Sequence, residues 1–304
     1  MGDLAIDTYP VLVKEFESKI YKLIESLSKK DRLEASGIQL FQDHYYVVFD
    51  NISSIAKLHI SLDNSHPDNL LIPGAEPLEQ FEDITYSSVA QRFYVVIENA
   101  EVELSDATQQ TVVFKPLIRE YDEQLNLLEM HVVDYIFADK NKGLEGLAVI
   151  SRNNQEYLLG LCEAAGDATA QTVEPREKGI ATILVLKRSN DRWQVECVIH
   201  LPPSVQFGDY AALDVKDDRI AVVSQVSSTL WVGQFADRSW EFMDEGRIYA
   251  FPRSKNNEVK YCNVEGVTWI GDDRIAVVSD KRKSIDASRC KKKDQSIHVF
   301  NIPK

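Results

Sequence analysis

One short pattern occurs five times along the chain, and it constrains the fold more than any other feature. A small or acidic residue opens an apolar run, a polar turn follows, and a second apolar run closes on an acid or amide. The copies run Ser36 to Asp50, Glu82 to Glu98, Glu145 to Glu163, Ala211 to Gln225 and Glu265 to Asp280. Their marked ends lie 14 to 18 residues apart, the length of a β-hairpin with a short or medium turn. Successive copies begin 46 to 66 residues apart, which is the repeat length of a propeller blade. Asp217–Val223 and Asp272–Val278 share the order acid-acid-Arg-Ile-Ala-Val-Val, direct evidence of an internal repeat.

The apolar runs Tyr45–Phe49, Phe93–Ile97, Tyr157–Leu161, Ile220–Val223 and Ile275–Val278 are short, β-rich and bounded by polar turns. They lack strict alternation, as expected of strands covered on both faces by neighbouring blades. Third strands are expected at Ser54–Ile60, Thr111–Ile118, Thr182–Lys187, Thr229–Phe235 and Ser296–Ile302, and fourth strands at Gln124–Val132 and Trp193–Leu201. The last unit ends on its third strand, so a segment before the first unit is expected to complete it and cover the open edge. Ile20–Leu27 is the candidate, although Phe16, Ile20, Leu23, Ile24 and Leu27 also fit a helical stripe. The pattern therefore predicts an all-β chain, residues 1–304 as a single β-propeller of five blades with six as the alternative. Residues 1–32 supply the closing strand.

At 304 residues the chain can bury a large core. Its net charge of −14 argues against general nucleic-acid binding, because a phosphate backbone would be repelled. No basic-then-apolar leader and no run of membrane-spanning length are visible, and Ile6 breaks a myristoylation signal at Met1-Gly2. Cys162, Cys197, Cys262 and Cys290 form no CxxC pair and read as reduced structural thiols, consistent with a cytoplasmic protein.

The marked ends carry the chemistry. In a blade the first strand lines the channel and the second runs back beside it, so the start of one lies next to the end of the other. Seven of these ten slots are acidic: Asp50, Glu82, Glu98, Glu145, Glu163, Glu265 and Asp280. Glu34 and Asp209 stand two residues before the opening slot in the units that lack an acid there. Like charges crowded around one axis are destabilising unless something compensates them. A divalent cation, protonated carboxyls, or hydrogen bonds and basic side chains would each do so. Oxygen-only ligands suit Ca²⁺ better than Zn²⁺, since no His or Cys recurs at these slots. The structural alternative is that each acid accepts backbone N–H groups from the next blade and ties the blades together. Acid–base catalysis is a third reading.

Long loops are expected at Glu163–Ile180 and Asp280–Asp294. The second concentrates Lys281, Arg282, Lys283, Arg289, Lys291, Lys292 and Lys293, which read either as a solvated loop or as a site for an anion or acidic partner. No GxSxG, P-loop or HExxH motif is present. The histidines, His44, His59, His66, His131, His200 and His298, show no metal-ligand spacing, and Trp193, Trp231 and Trp269 read as core.

The phrases Glu34-Ala35-Ser36-Gly37-Ile38, Asn141-Lys142-Gly143-Leu144-Glu145-Gly146-Leu147-Ala148 and Asn263-Val264-Glu265-Gly266-Val267 resemble those of the SdiA-regulated and esterase-like-phytase group of β-propellers. The resemblance runs from about Leu33 to Pro303. It implies a five- or six-bladed propeller, often with calcium in or near the channel, and more loosely an ester or phosphate-ester hydrolase. The family's recurring acids would fall on Glu82, Glu145, Glu163, Glu265 and Asp280; Ala211 and Gln225 depart from the pattern. The leading expectation is a soluble binding module whose acidic channel mouth holds a divalent cation and whose loops meet a small molecule or protein. The alternative is a calcium-dependent phosphoesterase or esterase.

Overall fold

The computed structural model describes residues 9–64, 66–74, 80–105, 110–137, 142–162, 181–190, 192–283 and 286–304. Among the described residues the first elements are strand β1 (Val13–Lys19) and a single helical turn α1 (Ile20–Leu23). Four-stranded antiparallel meanders follow. The first is β2 (Ala35–Phe41), β3 (His44–Phe49), β4 (Ile55–His59) and β5 (Leu70–Ile72). The second is β6 (Phe81–Ser87), β7 (Arg92–Ser105), β8 (Gln110–Tyr121) and β9 (Leu127–Asp134), and the third β10 (Leu144–Arg152), β11 (Gln155–Cys162), β12 (Thr182–Ser189) and β13 (Arg192–His200). These two join into an eight-stranded sheet through a short parallel pairing of Trp193 and Gln194 with Val133 and Asp134. The next is β14 (Ala212–Lys216), β15 (Arg219–Ser224), β16 (Thr229–Gln234) and β17 (Arg247–Ala250). The last contains β18 (Val264–Trp269), β19 (Arg274–Ser279) and β20 (Ser296–Asn301), with a 3-10 turn at Ser288–Lys292.

The first strands touch in a closed cycle, β2 to β6 to β10 to β14 to β18 and back to β2. That cycle of meanders radiating from an inner ring is a β-propeller. Closure comes from β1, which pairs antiparallel with β20 from Val13↔Asn301 to Lys19↔Ser296. The expected closing segment is therefore corrected. Val13–Lys19 provides the strand, whereas Ile20–Leu23 turns helically and buries Ile20 and Leu23 against the first meander. Of the residues that also fit a helical stripe, only Ile20 and Leu23 lie in that turn, while Phe16 lies in β1.

Inner strands of a propeller do not pair with one another, so their buried N–H groups need other acceptors. Side chains supply them. Asp83 accepts from Ile84 N–H and from Leu147 N–H of the next inner strand, both at 2.8 Å. Asp214 does the same for Val215 and Trp269, also at 2.8 Å. Thr85 Oγ1 accepts from Val149, Thr268 Oγ1 from Leu40, and Gln39 Oε1 from Tyr86, each at 3.1 Å. Apolar clusters fill the wedges between meanders, with Trp193 and Trp231 fully buried and Trp269 nearly so, as expected. Among the described residues no helix is long and apolar enough to cross a membrane.

Candidate metal centre

The acids of the opening slots sit at irregularities in the ladder. Pairing of β6 with β7 skips Glu82, that of β10 with β11 skips Glu145, and that of β18 with β19 skips Glu265. Ser36 occupies the same position in the first hairpin. A bulge adds an unpaired residue and re-aims its side chain, so each carboxylate leaves the alternation of its strand. The fourth hairpin has no such shift: Ala212 pairs regularly with Val223, and Ala211 N–H bonds to Val223 O at 3.0 Å. The unit with Ala211 in the slot lacks the bulge, whereas the first unit keeps it with Ser36 in place of the acid.

The residue after the bulge explains the Gly of the motif. A Cβ on Gly37 would lie 2.5 Å from Asp83 Cα, and one on Gly146 would lie 2.8 Å from Leu213 N, each on the next inner strand. Two closing-slot acids directly follow the ends of second strands, Asp50 after β3 and Asp280 after β19. Asp50 N–H donates to Glu34 O and Asp280 N–H to Asn263 O, both at 2.8 Å. Glu98 lies at a further irregularity of β7, between Ile97 and Ala100.

Electrostatics show that these groups share one neighbourhood. Burial first, and then the charges of Glu145, Asp50, Glu98 and Glu265, push the Glu82 carboxyl well above its ordinary range. Glu265 is raised likewise by burial, then by Asp280, Glu145 and Asp50. Asp280 is pushed up to about 7, chiefly by burial and then by Glu34. Asp50 is raised by burial and by Glu34. Gln225 Nε2 donates to Glu265 Oε1, so the amide of the fourth unit also belongs to the rim. Asp209 accepts instead from Ser224 Oγ at 2.6 Å and Val226 N at 3.0 Å, closing a local turn. Glu163, together with the loop 163–180, lies outside the described residues.

Of the basic loop, Lys283 acts on the rim, since its charge partly offsets the rise at Asp50, Glu265 and Asp280. Lys281 contributes its backbone N–H to Asp280 Oδ1. Several other cations are engaged within the protein: Arg282 with Asp286 O at 2.5 Å, Arg289 with Glu258 at 3.2 Å, and Lys293 with Glu17. Lys291 and Lys292 are exposed on the 3-10 turn. One further link overturns the expectation of reduced thiols. Cys262 and Cys290 form a disulfide with a Cα–Cα distance of 5.6 Å, which pins this loop to the segment before β18, while Cys162 and Cys197 keep their thiols. Sequence spacing of 28 residues without a CxxC motif carried no sign of that pairing.

Two carboxylates that the repeat pattern did not mark are the ones that tie inner strands together. Asp83 and Asp214 are fully enclosed, and burial raises both, Asp214 to about 6, despite the backbone N–H bonds that favour their ionised forms. Their signal in the sequence is an acid inside an apolar inner strand, in Glu82-Asp83-Ile84 and Leu213-Asp214-Val215. Elsewhere, Glu120, Glu129 and His131 are the described residues that gather three candidate metal-ligating atoms within 4.8 Å. That cluster already holds cations: Arg92 donates to Glu120 at 2.5 Å, and Arg188 donates to Glu120 and, at 2.7 Å, to Glu129. Arg188 Nη2 also lies 2.9 Å from His131 Nε2. Two guanidinium groups occupy the space a metal would need, so this group is an ion-pair network that joins the second and third meanders.

No protein-family model matches the chain, and no curated protein matches it. Solved structures align over most of its length at low identity. They include the RRP9 WD40 repeats, at 9% identity over 90% of this chain and 96% of that one, TM-score 0.46. A PQQ-bound aldose sugar dehydrogenase from Streptomyces coelicolor aligns at 9% identity over 94% and 98%, TM-score 0.46. A calcium-binding protein, regucalcin, from Agrobacterium tumefaciens aligns at 10% identity over 97% and 95%, TM-score 0.48. The propeller assignment rests on the strand order and the closed inner ring described above.

Proposed function

We propose that the chain is a single-domain, five-bladed propeller acting as a binding module, with a divalent cation, Ca²⁺, held at the acidic mouth by Glu82, Glu98, Glu145, Glu265, Asp280 and Asp50, and by Glu163. The observation that carries this reading is that Glu82, Glu265 and Asp280 are all raised, first by burial and then by acids of other hairpins: Glu145 and Asp50 act on both Glu82 and Glu265, and Glu34 and Asp50 on Asp280. Carboxylates crowded in this way attract a hard cation, and Ca²⁺ accepts 6–8 oxygen ligands at about 2.3–2.6 Å with water completing the shell. Loop Asp280–Asp294, with Lys281, Arg282, Lys283, Arg289, Lys291, Lys292 and Lys293, then offers a small molecule or protein partner an anion-binding edge beside the cation.

Calorimetric titration of chelator-treated protein with Ca²⁺ tests the reading, alongside a variant carrying Glu82→Gln, Glu145→Gln and Glu265→Gln. Wild type is expected to bind and to melt at higher temperature by mass action, and the variant to lose both effects. No heat and no melting shift at millimolar Ca²⁺ would return the acids to a structural role. A second reading follows from Lys283, whose charge reaches Asp50, Glu265 and Asp280. A cation with a lysine beside it neutralises a phosphate ester. Calcium-dependent turnover of a phosphate monoester that Glu145→Gln abolishes would favour that hydrolase over the binding module.

A further inference from the structure

The disulfide Cys262–Cys290 joins two segments that the sheet already fixes without it. Cys262 precedes β18, and its neighbour Tyr261 is buried, with its carbonyl accepting from Ser228 Oγ at 3.0 Å. Cys290 sits on the 3-10 turn Ser288–Lys292, ahead of β20, which pairs on both edges with β19 and β1. Both cysteines thus lie outside the strands, and the bond holds the turn rather than the ladder. Upstream, the other ties of the turn are weak. Arg289 donates to Val259 O at 2.8 Å and pairs with Glu258 at 3.2 Å, but that pair is 41% and 44% exposed, and exposed pairs contribute little. Downstream, Lys19 Nζ bonds Lys291 O at 3.1 Å and Asp294 Oδ1 at 2.7 Å, and Lys293 pairs with Glu17. Loss of the bond therefore frees the start of the turn and leaves its end anchored.

The surroundings also favour exchange. Cys262 is half-buried and Cys290 is 3% exposed, so an incoming thiolate approaches the Cys262 sulfur. Cys290 is then the leaving sulfur, and Arg289, Lys291 and Lys292 beside it favour its departure as a thiolate. Asp286 links this region to the channel mouth. Its Oδ2 accepts from Asn263 Nδ2 at 3.3 Å, next to Cys262, and from Lys283 N–H at 2.7 Å. Lys283 is the cation that offsets the rise at Asp50, Glu265 and Asp280.

We propose that Cys262–Cys290 is a redox switch, opened by a small thiol of the glutathione class, that releases the turn and with it the hold on Lys283. One thiolate attacks Cys262 Sγ, the S–S bond breaks, and Cys290 leaves as a thiolate and takes up a proton. A second thiolate attacks the small-molecule sulfur of the mixed disulfide, and Cys262 leaves in the same way. Two electrons and two protons pass to the cysteine pair, and two thiols become one disulfide. With Lys283 released, the mouth is less compensated and holds a divalent cation more tightly. That last consequence rests on the channel-mouth reading above; the switch itself does not.

The test equilibrates the full chain at pH 7.5 in glutathione buffers of graded ratio, then quenches, alkylates in denaturant and counts modified cysteines by mass. The count is expected to rise from two to four as the buffer becomes reducing, with circular dichroism of the native protein unchanged. Trypsin should cut after Arg289, Lys291 or Lys292 at least fivefold faster in the reduced form. A variant carrying Cys262→Ser and Cys290→Ser should be cut at that faster rate in either buffer. A pair that stays oxidised in millimolar reduced glutathione, a reduced protein that unfolds, or equal cleavage of both forms overturns the switch. Ca²⁺ titration of the two forms reads the coupling, with binding at least threefold tighter in the reduced form. Equal affinity overturns the coupling. If neither form binds Ca²⁺, the cation reading fails and the coupling with it, while the thiol count and the cleavage rates still decide the switch.

Discussion

Asp280→Asn is the sharpest perturbation of the acidic mouth, because the amide keeps the shape and the acceptor oxygen that Lys281 N–H uses while removing the charge. Burial and Glu34 raise Asp280 from its usual 3.8 to about 7. The unfolded chain therefore releases this proton before the folded chain does, and stability falls as pH rises from about 4 until it levels off above about 7. At about 1.4 kcal/mol per tenfold change in proton affinity, that rise corresponds to a ceiling of roughly 4 kcal/mol. Asp280 also raises Glu265, so the two titrate together and the effect is shared. About 2–4 kcal/mol is the expected gain on substitution at pH 8, shrinking to under about 1 kcal/mol at pH 4. Urea unfolding in chelator across this pH range measures it. Saturating Ca²⁺ should remove the gain, because the wild-type carboxylate then has a counter-ion. A destabilised variant, or a difference that stays constant with pH, would show that Asp280 is a structural acceptor and that the repulsion argument is wrong.

The neighbouring pair Glu82 and Asp83 should respond in opposite directions. Glu82→Gln relieves repulsion and stabilises the calcium-free protein, whereas Asp83→Ala strands the buried N–H groups of Ile84 and Leu147 and costs about 2–5 kcal/mol by urea unfolding. Gly37→Ala places a methyl group 2.5 Å from Asp83 Cα, which should cost about 1–3 kcal/mol or more as the inner strands are pushed apart; an unchanged melting temperature would show that the ring is loosely packed. Thiol titration of denatured protein without reductant should count two thiols, those of Cys162 and Cys197, and none from Cys262 and Cys290. Closing a loop of this size corresponds to about 3–4 kcal/mol in the chain-entropy account, so Cys262→Ser should lower stability by up to that amount.

How much could be read in advance depended on whether the information was local. Hairpins at Asp217–Val223 and Asp272–Val278 were legible because a strand-turn-strand is specified within one short stretch, and so were the acids that repeat at their ends. Convergence of Glu82, Glu145 and Glu265 followed once blade spacing implied an axis. The aim of those side chains did not, because a bulge is a property of two strands in register rather than of either alone.

The sequence by itself determined the repeat, the strand-rich character and the excess of carboxylates at equivalent places, all of which arise from patterns a few residues long. Tertiary structure decided which strand closes the ring, and it singled out Asp83 and Asp214 as the acids that tie inner strands. It also joined Cys262 to Cys290 and brought the rings of His44 and His66 against that of His59. Each of those depends on the ring being closed, which brings residues far apart in the chain to the same few ångströms of space. Until that closure sets the distances, the identity of a partner is not encoded in any single stretch.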